Sequence, residues 1–408
     1  MNILFLTLLD FSNLEEKGIY TDLLREFLKD KHSVYVVSPS EKRKNLPTRL
    51  LDKGDYKILK LKIGNIQKTG TLEKAASTFL LGSQYKKSIK IYFNNVKFDL
   101  VLYSTPPITL CKAVEYVRKR DSAKTYLLLK DIFPQNALDL GMLTNSGAKG
   151  LAYRHFRKNE KRLYQISDHI GCMSEANVQY LLKNNSWLPR EKVEVCPNSI
   201  DPTLVEMTDN EKVDILHKYE IPSNKIIFVY GGNLGKPQGV DFLIECIRNN
   251  ERNEKTYFLI VGSGTEFHKV KSFFDNEKPK NAKLMKELPA KEYEALANAC
   301  DVGLILLDRR FTIPNFPSRI LSYMQASMPV LAATDVNTDI GEVITKNEFG
   351  LWCESGDVKT FFELVRHLCH RERRREMGDK ARIYLMNHYT SKNSYEIIMK
   401  HYKNPDYY

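Results

Sequence analysis

Short apolar runs alternate with amphipathic stretches along almost the whole chain. Unbroken apolar runs bounded by polar or glycine residues predict buried strands. Apolar residues recurring every three or four positions predict helices. Strands are expected over Ile3–Leu8, Ser33–Val37, Tyr56–Leu61, Leu100–Tyr103, Thr125–Leu129, His169–Cys172 and Val193–Cys196. After a break they resume over Ile226–Tyr230, Tyr257–Val261, Ala282–Leu284, Val302–Leu306 and Val330–Ala333. Helical patterns lie between most of them, among others over Tyr20–Lys29, Ile108–Arg118, Lys149–Gln165, Glu175–Asn184, Asp241–Asn250 and Tyr293–Ala299. Such alternation predicts parallel sheets with helices on both faces, a doubly wound α/β class. Two series separated by a polar stretch, near Pro202–Asn224, predict two domains.

One segment concentrates the candidate chemistry. Ile226–Tyr230 reads as a buried strand, the next nine residues hold four glycines, and Val240, Leu243, Ile244 and Ile247 recur at helical spacing. Strand, glycine loop and helix start together can seat a phosphate. Glycine lets backbone approach the anion, and a helix N-terminus offers free N–H groups. A tight turn that binds nothing has the same local pattern.

Bulk properties narrow the classes. At 408 residues, 42% hydrophobic and 27% charged, the chain has a globular composition with enough apolar residues for a core in each domain. No apolar run approaches the roughly 18 residues of a membrane-spanning helix, and Met1–Asp10 reads as a first strand instead of a signal peptide. Seven scattered cysteines, none in a Cys-x-x-Cys pair, predict buried free thiols and no zinc site. The net charge of +12 is uneven: residues 1–200 hold 33 Lys+Arg against 20 Asp+Glu, whereas 201–408 hold 29 against 30. The first half therefore suits an anionic partner, and a membrane surface is favoured over nucleic acid because no aromatic–basic reading motif is present. Residues 72–93 place Leu72, Ala75, Ala76, Phe79 and Leu80 on an apolar stripe before Tyr85, Lys86, Lys87, Lys90, Tyr92 and Phe93. That stripe can pack on the first sheet or rest on a bilayer. The cluster at Arg371, Arg373, Arg374 and Arg375 reads as a solvated helix face.

Other candidates fall at expected strand ends of the second half, where doubly wound sheets bind ligands. Lys236 is the full positive charge of the Gly231–Gly239 loop. Gly262, Gly264 and Glu266 follow one strand, with Ser263 and Thr265 between them. Asp308, Arg309, Arg310 and then Pro317-Ser318-Arg319 follow another, with a helix expected from Ile320. An arginine in a first helical turn opposes the helix dipole, which hints at an anionic ligand. A dinucleotide dehydrogenase is excluded because the first turn, Leu9–Asn13, lacks glycine and Gly262-x-Gly264 lacks the third. A phosphate-loop kinase is excluded because Gly-x-x-x-x-Gly-Lys-Ser/Thr does not occur.

In order along the chain, these features resemble a family 4 glycosyltransferase of the GT-B architecture. Lys192-Val193-Glu194-Val195-Cys196-Pro197-Asn198-Ser199-Ile200-Asp201 is similar to "V-x-V-I-P-N-G-I-D", Gly232 to Gly239 to "G-R-L-x-x-x-K-G", and Gly262–Glu266 to "G-x-G-x-E". Leu321–Val330 is similar to "x-E-A-M-A-x-G-x-P-V". Lys130–Pro134 and Pro317–Arg319 resemble the bacterial capsule and O-antigen transferases of the L-fucosamine type. The resemblance implies two Rossmann-like doubly wound domains facing a central cleft. Residues 1–200 would bind the acceptor, 201–385 the nucleotide sugar, and 386–408 would form a helix crossing back to the first domain. It implies a retaining, metal-independent transfer without a cofactor. The sugar would be an N-acetylated deoxy-hexosamine such as N-acetylfucosamine, moved from a UDP-sugar to a polyprenyl-diphosphate-linked saccharide at the cytoplasmic membrane face.

The departures matter equally. Asn233 and Gln238 stand where the family carries Arg and Lys, Ser322 where it carries a ribose-binding Glu, Pro314 at its other motif Glu, and Lys130 near a common histidine. Lys236 and Arg319 would then supply the positive charge, helped by the N–H groups of Gly231–Gly235, and Gly231, Gly232 and Gly235 are donor-site candidates. Ser318 and Glu266 are further donor-site candidates, and Asp131 is the candidate for orienting or deprotonating the acceptor hydroxyl. A GT-B-type UDP-sugar epimerase and a non-catalytic nucleotide-binding scaffold are the alternatives.

Overall fold

The computed structural model describes residues 1–66, 69–203 and 207–402. The chain divides into two compact units, Met1–Asp201 with the chain from Ser391 onward, and Pro202–Thr390. The first unit is built on strands β1 (Asn2–Leu6), β2 (Ser33–Glu41), β3 (Arg49–Asp52), β4 (Tyr56–Ile63), β5 (Leu100–Ser104), β6 (Lys124–Leu129), β7 (His169–Cys172) and β8 (Val193–Val195). They form one sheet in the order β3-β4-β2-β1-β5-β6-β7-β8, parallel except for the β3–β4 pair. The second unit carries β9 (Ile226–Asn233), β10 (Thr256–Ser263), β11 (Ala282–Lys286), β12 (Val302–Leu306), β13 (Val330–Thr334) and β14 (Gly350–Glu354). Its order is β11-β10-β9-β12-β13-β14, all parallel. This is the doubly wound pattern in which strand order reverses beside the first strand. The chain has the GT-B fold class, two Rossmann-like α/β units.

Every expected strand is present, because strands covered on both faces read as continuous apolar runs. Two edge strands escaped the pattern. β3 is short, antiparallel and only partly buried, and β14 ends on an exposed glutamate. The polar boundary segment holds a helix, Asp209–Lys218. Its readable signal was the capping box, in which Thr208 and Glu211 satisfy each other's backbone N–H groups.

The Thr71–Tyr92 segment is one helix. Its large buried apolar residues, among those described, are Leu81, Tyr85 and Ile89, at a spacing of four, and the Tyr85 hydroxyl donates to the Thr7 carbonyl at 2.7 Å. Phe79 and Leu80 lie on the other side and are 63% and 50% exposed. The expected apolar stripe thus does not pack on the sheet at those two positions; the side chains of Leu72 and Ala75 lie outside the described residues. The Ser391–Met399 helix belongs to the first unit, where Tyr395, Ile398 and Met399 join the core around Phe27 and Cys196. All seven cysteines are free, and only Cys369 is not buried. Among the described residues no helix is long and apolar enough to cross a membrane.

Candidate active site

Parallel sheets of this kind bind ligands at the carboxyl ends of the strands, where strand order reverses. In the second unit that point lies between β9 and β12. The glycine segment follows β9, and the stretch from Leu307 to Arg319 follows β12.

The glycine segment is less open than its sequence suggests. β9 runs on through Gly231, Gly232 and Asn233, which pair in register with Val261, Gly262 and Ser263 of β10. The Gly231 N–H donates to the Tyr323 hydroxyl at 3.3 Å, the Leu234 N–H to the Ser263 carbonyl at 2.7 Å, and the Gln238 N–H to the Gly235 carbonyl at 3.0 Å. The expected row of free N–H groups over Gly231–Gly235 is therefore corrected: the Gly231 N–H is taken by Tyr323 and the Leu234 N–H by the extended sheet. Gly231 is glycine for a steric reason, since a Cβ there would sit 1.7 Å from the Tyr293 hydroxyl. Gly239 has φ +55° and caps the Val240–Asn250 helix. A Cβ on it would lie 2.9 Å from the Leu307 carbonyl, so the two loops meet there.

Arg319 opens the helix Arg319–Gln325, with Ser318 just before it. Its guanidinium lies 4.2 Å from the Tyr230 ring centroid, and its Nη2 donates to the buried Gln238 Oε1 at 2.6 Å. Gln238, neutral where the family pattern carries a charge, thus orients a cation supplied by another loop. The Tyr230 hydroxyl points at the same Gln238 oxygen at 3.3 Å and donates to the Asn233 carbonyl at 2.7 Å. Arg319 Nη1 is buried and has no hydrogen-bond partner among the described residues. Nor does Arg319 form a salt bridge among them. Burial keeps Tyr230, Tyr293 and Tyr323 protonated, pushing Tyr323 to about 12, so these phenols bring no counter-charge. A dehydrated guanidinium with an open donor and neutral neighbours attracts an anion.

The other candidates are distributed around this point. Lys236 is exposed, in the turn Lys236–Gln238. Gly232, Asn233, Gly264 and Glu266 are exposed or partly exposed, Gly235 and Gly262 are buried, and Glu266 anchors its loop through an N–H to the Leu234 carbonyl at 2.9 Å. The Ser322 hydroxyl donates to the Arg319 carbonyl at 2.8 Å, which turns it inward on its own helix. Asp308, Arg309 and Arg310 stand apart from Arg319: with Gly239, Asp241 and Gly356 they line a cavity of about 380 Å³, and Asp308 pairs with Arg310 at 2.6 Å.

Sequence reasoning missed the three tyrosines and Asp335. Tyr230 and Tyr323 fall on apolar faces and read as core. Asp335 follows β13, is buried, and accepts from the Asn337 and Thr338 N–H groups at 2.8 and 3.1 Å. Its neighbours brace the Phe311–Asn315 stretch ahead of Arg319, through Asn337 to the Phe311 carbonyl and Thr338 to the Asn315 carbonyl. A polar residue directly after an apolar strand was the available signal.

Asp131 belongs to the first unit, beyond the end of β6. Burial pushes its carboxyl up to about 6, against a hydrogen bond from Asn136 Nδ2 at 2.8 Å. Lys130 beside it points elsewhere, donating to the Cys196 carbonyl at 2.7 Å.

Against known proteins, residues 212–384 match the family model for glycosyl transferases group 1. Over 313 residues, 76% of this chain and 75% of WbjE, the sequence is 25% identical to WbjE of Pseudomonas aeruginosa, described as a glycosyltransferase. It is 22% identical over 251 residues to WcaI of Escherichia coli K12, described as a colanic acid biosynthesis glycosyl transferase, covering 60% of each. Among solved structures, sucrose-phosphate synthase of Thermosynechococcus elongatus superposes with a TM-score of 0.73 at 13% identity, over 99% of this chain and 98% of that one. HepE of Anabaena in complex with UDP-glucose gives 0.71 at 14% over 98% and 99%. WaaG, a glycosyltransferase involved in lipopolysaccharide biosynthesis, gives 0.66 at 14% over 97% and 99%. The matched residues 212–384 contain the β9–β12 switch point and Arg319.

Proposed function

We propose that this protein is a glycosyltransferase of bacterial surface-polysaccharide assembly, moving a sugar from a UDP-sugar to a lipid-linked saccharide. The observation that carries the reading is Arg319, a half-buried residue whose Nη1 is buried and unsatisfied and which forms no salt bridge among the described residues, at the strand-order reversal within the matched residues 212–384. Anabaena HepE, solved with UDP and with UDP-glucose, supports a uridine diphosphate donor. WcaI, named for colanic acid biosynthesis, and WaaG, named for lipopolysaccharide biosynthesis, support a polysaccharide setting. The resemblance at Lys130–Pro134 and Pro317–Arg319 favours an N-acetylated deoxy-hexosamine such as N-acetylfucosamine, and a capsule or O-antigen product.

In the reaction, the bond between the anomeric carbon and the diphosphate oxygen breaks, and its electron pair leaves with UDP. The acceptor oxygen bonds to that carbon and gives up its proton. Arg319 and Lys236 offset the charge growing on the diphosphate, without a metal. Glu266 takes a donor hydroxyl, with Ser318, Ser322 and the glycines of 231–239 and 262–264 forming the wall. Asp131 orients the acceptor hydroxyl or takes its proton. The first unit, with its excess of 13 positive charges, holds the lipid diphosphate at the inner membrane face.

Thermal-shift measurements with UDP, GDP and ADP sugars test the donor. Stabilisation by UDP sugars above the others is expected, and Arg319→Ala should abolish it. No response to any nucleotide would favour the scaffold alternative. Activity should survive EDTA; a loss restored by magnesium would overturn the metal-free chemistry.

A further inference from the structure

The helices Thr71–Tyr92 and Gly147–Ile166 of the first unit share a surface that the reaction above does not use. The Phe79 and His155 rings meet across them, with centroids 5.8 Å apart. Leu151, one turn before His155, is 63% exposed, like Phe79, and Leu80 is 50% exposed. Three large apolar side chains in water at one place are unusual for a globular surface.

Their surroundings are cationic. The Gly147–Ile166 helix holds six Lys/Arg and a single carboxylate, Glu160, which is buried and accepts from the Tyr164 hydroxyl at 2.6 Å. Arg154, Lys158 and Lys161 are exposed and form no salt bridge among the described residues. They line a groove of about 530 Å³ together with Tyr153, Arg162 and Glu115. The Thr71–Tyr92 helix adds Lys74, Lys86, Lys87 and Lys90 against Glu73, whose oxygen is held by Asn65 at 2.8 Å.

We propose that this face docks on an anionic lipid bilayer, with Phe79, Leu80 and Leu151 entering the interfacial layer and Arg154, Lys158 and Lys161 meeting lipid phosphates. Exposed apolar anchors among unpaired cations are what an interfacial surface needs, since area burial and charge attraction add. A symmetric dimer through the same patch would set cation against cation. The proposal places the membrane contact on an apolar and basic patch across two helices, whereas the sequence pattern pointed to the single stretch 72–93.

Flotation of the full-length protein with vesicles tests it, using phosphatidylglycerol–phosphatidylcholine mixtures beside pure phosphatidylcholine. Binding should require the anionic lipid and fall as salt rises. Arg154→Gln with Lys158→Gln and Lys161→Gln should weaken it about 100-fold, near fivefold per charge. Phe79→Ser with Leu80→Ser and Leu151→Ser should remove the binding that survives at high salt. All six side chains are exposed, so both variants should melt with the wild type. Equal affinity for the two vesicle types, or wild-type binding by the charge variant, would overturn the proposal. So would a lipid-free dimer that the apolar variant dissolves, because the patch would then be a protein interface. The vesicle assay contains no sugar donor, so its failure leaves the transferase reading standing, and failure of nucleotide binding leaves this one standing.

Discussion

Arg319 owes its position to residues that look unremarkable in sequence. Tyr230 supplies a ring face and Gln238 a carbonyl oxygen, and neither carries charge. Replacing Arg319 by alanine should lower kcat about 100-fold or more if it stabilises the departing diphosphate. Arg319→Lys should recover only part, since an ammonium cannot reach Gln238 and an anion with the same fork. Lys236→Ala should cost less, about tenfold, because that ammonium is exposed and screened. Steady-state kinetics on the three variants checks the order, and wild-type rates for Arg319→Ala would remove it from the mechanism. Asp131 supplies a pH signature. Burial raises its carboxyl in the folded state to about 6, above the unfolded value near 3.8. The folded protein then holds the proton more tightly, so this group's contribution favours folding at low pH and is lost as pH rises through 4 to 6. Asp131→Asn should therefore gain stability of about 2 kcal/mol at pH 7 and nothing at pH 4. In kcat/KM it should remove the acid limb expected near pH 6 if the carboxylate is the base. The glycines and Arg319 were legible because their types are rare at such spacings. The tyrosines were not, because a buried aromatic on an apolar face has the same pattern whether it packs or also positions a neighbour.

Elements were readable where burial is two-sided and obscure at edges. β12, Val-Gly-Leu-Ile-Leu, is buried throughout and unmistakable, whereas β14 ends in a half-wet Trp352-Cys353-Glu354 and has no such signature. The end of β9 illustrates another limit. Glycines marked a loop, yet Gly231–Asn233 remain paired with β10, and position 231 is glycine because the Tyr293 side chain fills the space that a Cβ would take. Gly231→Ala should destabilise the second unit by about 1–3 kcal/mol through overpacking, and Tyr293→Phe with it should restore part, as read from urea denaturation midpoints. The Ser391–Met399 helix gives a second test at this scale. Ile398 is fully buried among residues of the first unit, so Ile398→Ala should cost about 3 kcal/mol. Hydrogen exchange should report the loss in β1, β2 and β5, not in β9–β14.

At the scale of the molecule, a nucleotide sugar and a lipid surface act on different units. A UDP-sugar at one hundred times its Kd should stabilise the unit that binds it by about 2.7 kcal/mol, and exchange protection should concentrate within Pro202–Thr390. The uneven charge was legible as a sum, but its concentration on two helices with exposed Phe79, Leu80 and Leu151 was not. Helical period alone does not say which side of a helix faces the sheet. The division of the chain carries one more consequence. The second unit is one continuous segment, while the first is closed by a helix that lies beyond it. During synthesis, residues 202–390 leave the ribosome as a complete folding unit before Ser391–Met399 can seat against Phe27. The first part of the protein to be made is thus the last to be finished, and until then it needs protection from aggregation at the hole where Tyr395, Ile398 and Met399 will sit. Mutations in that final helix should lower yield of soluble protein well before they touch donor binding.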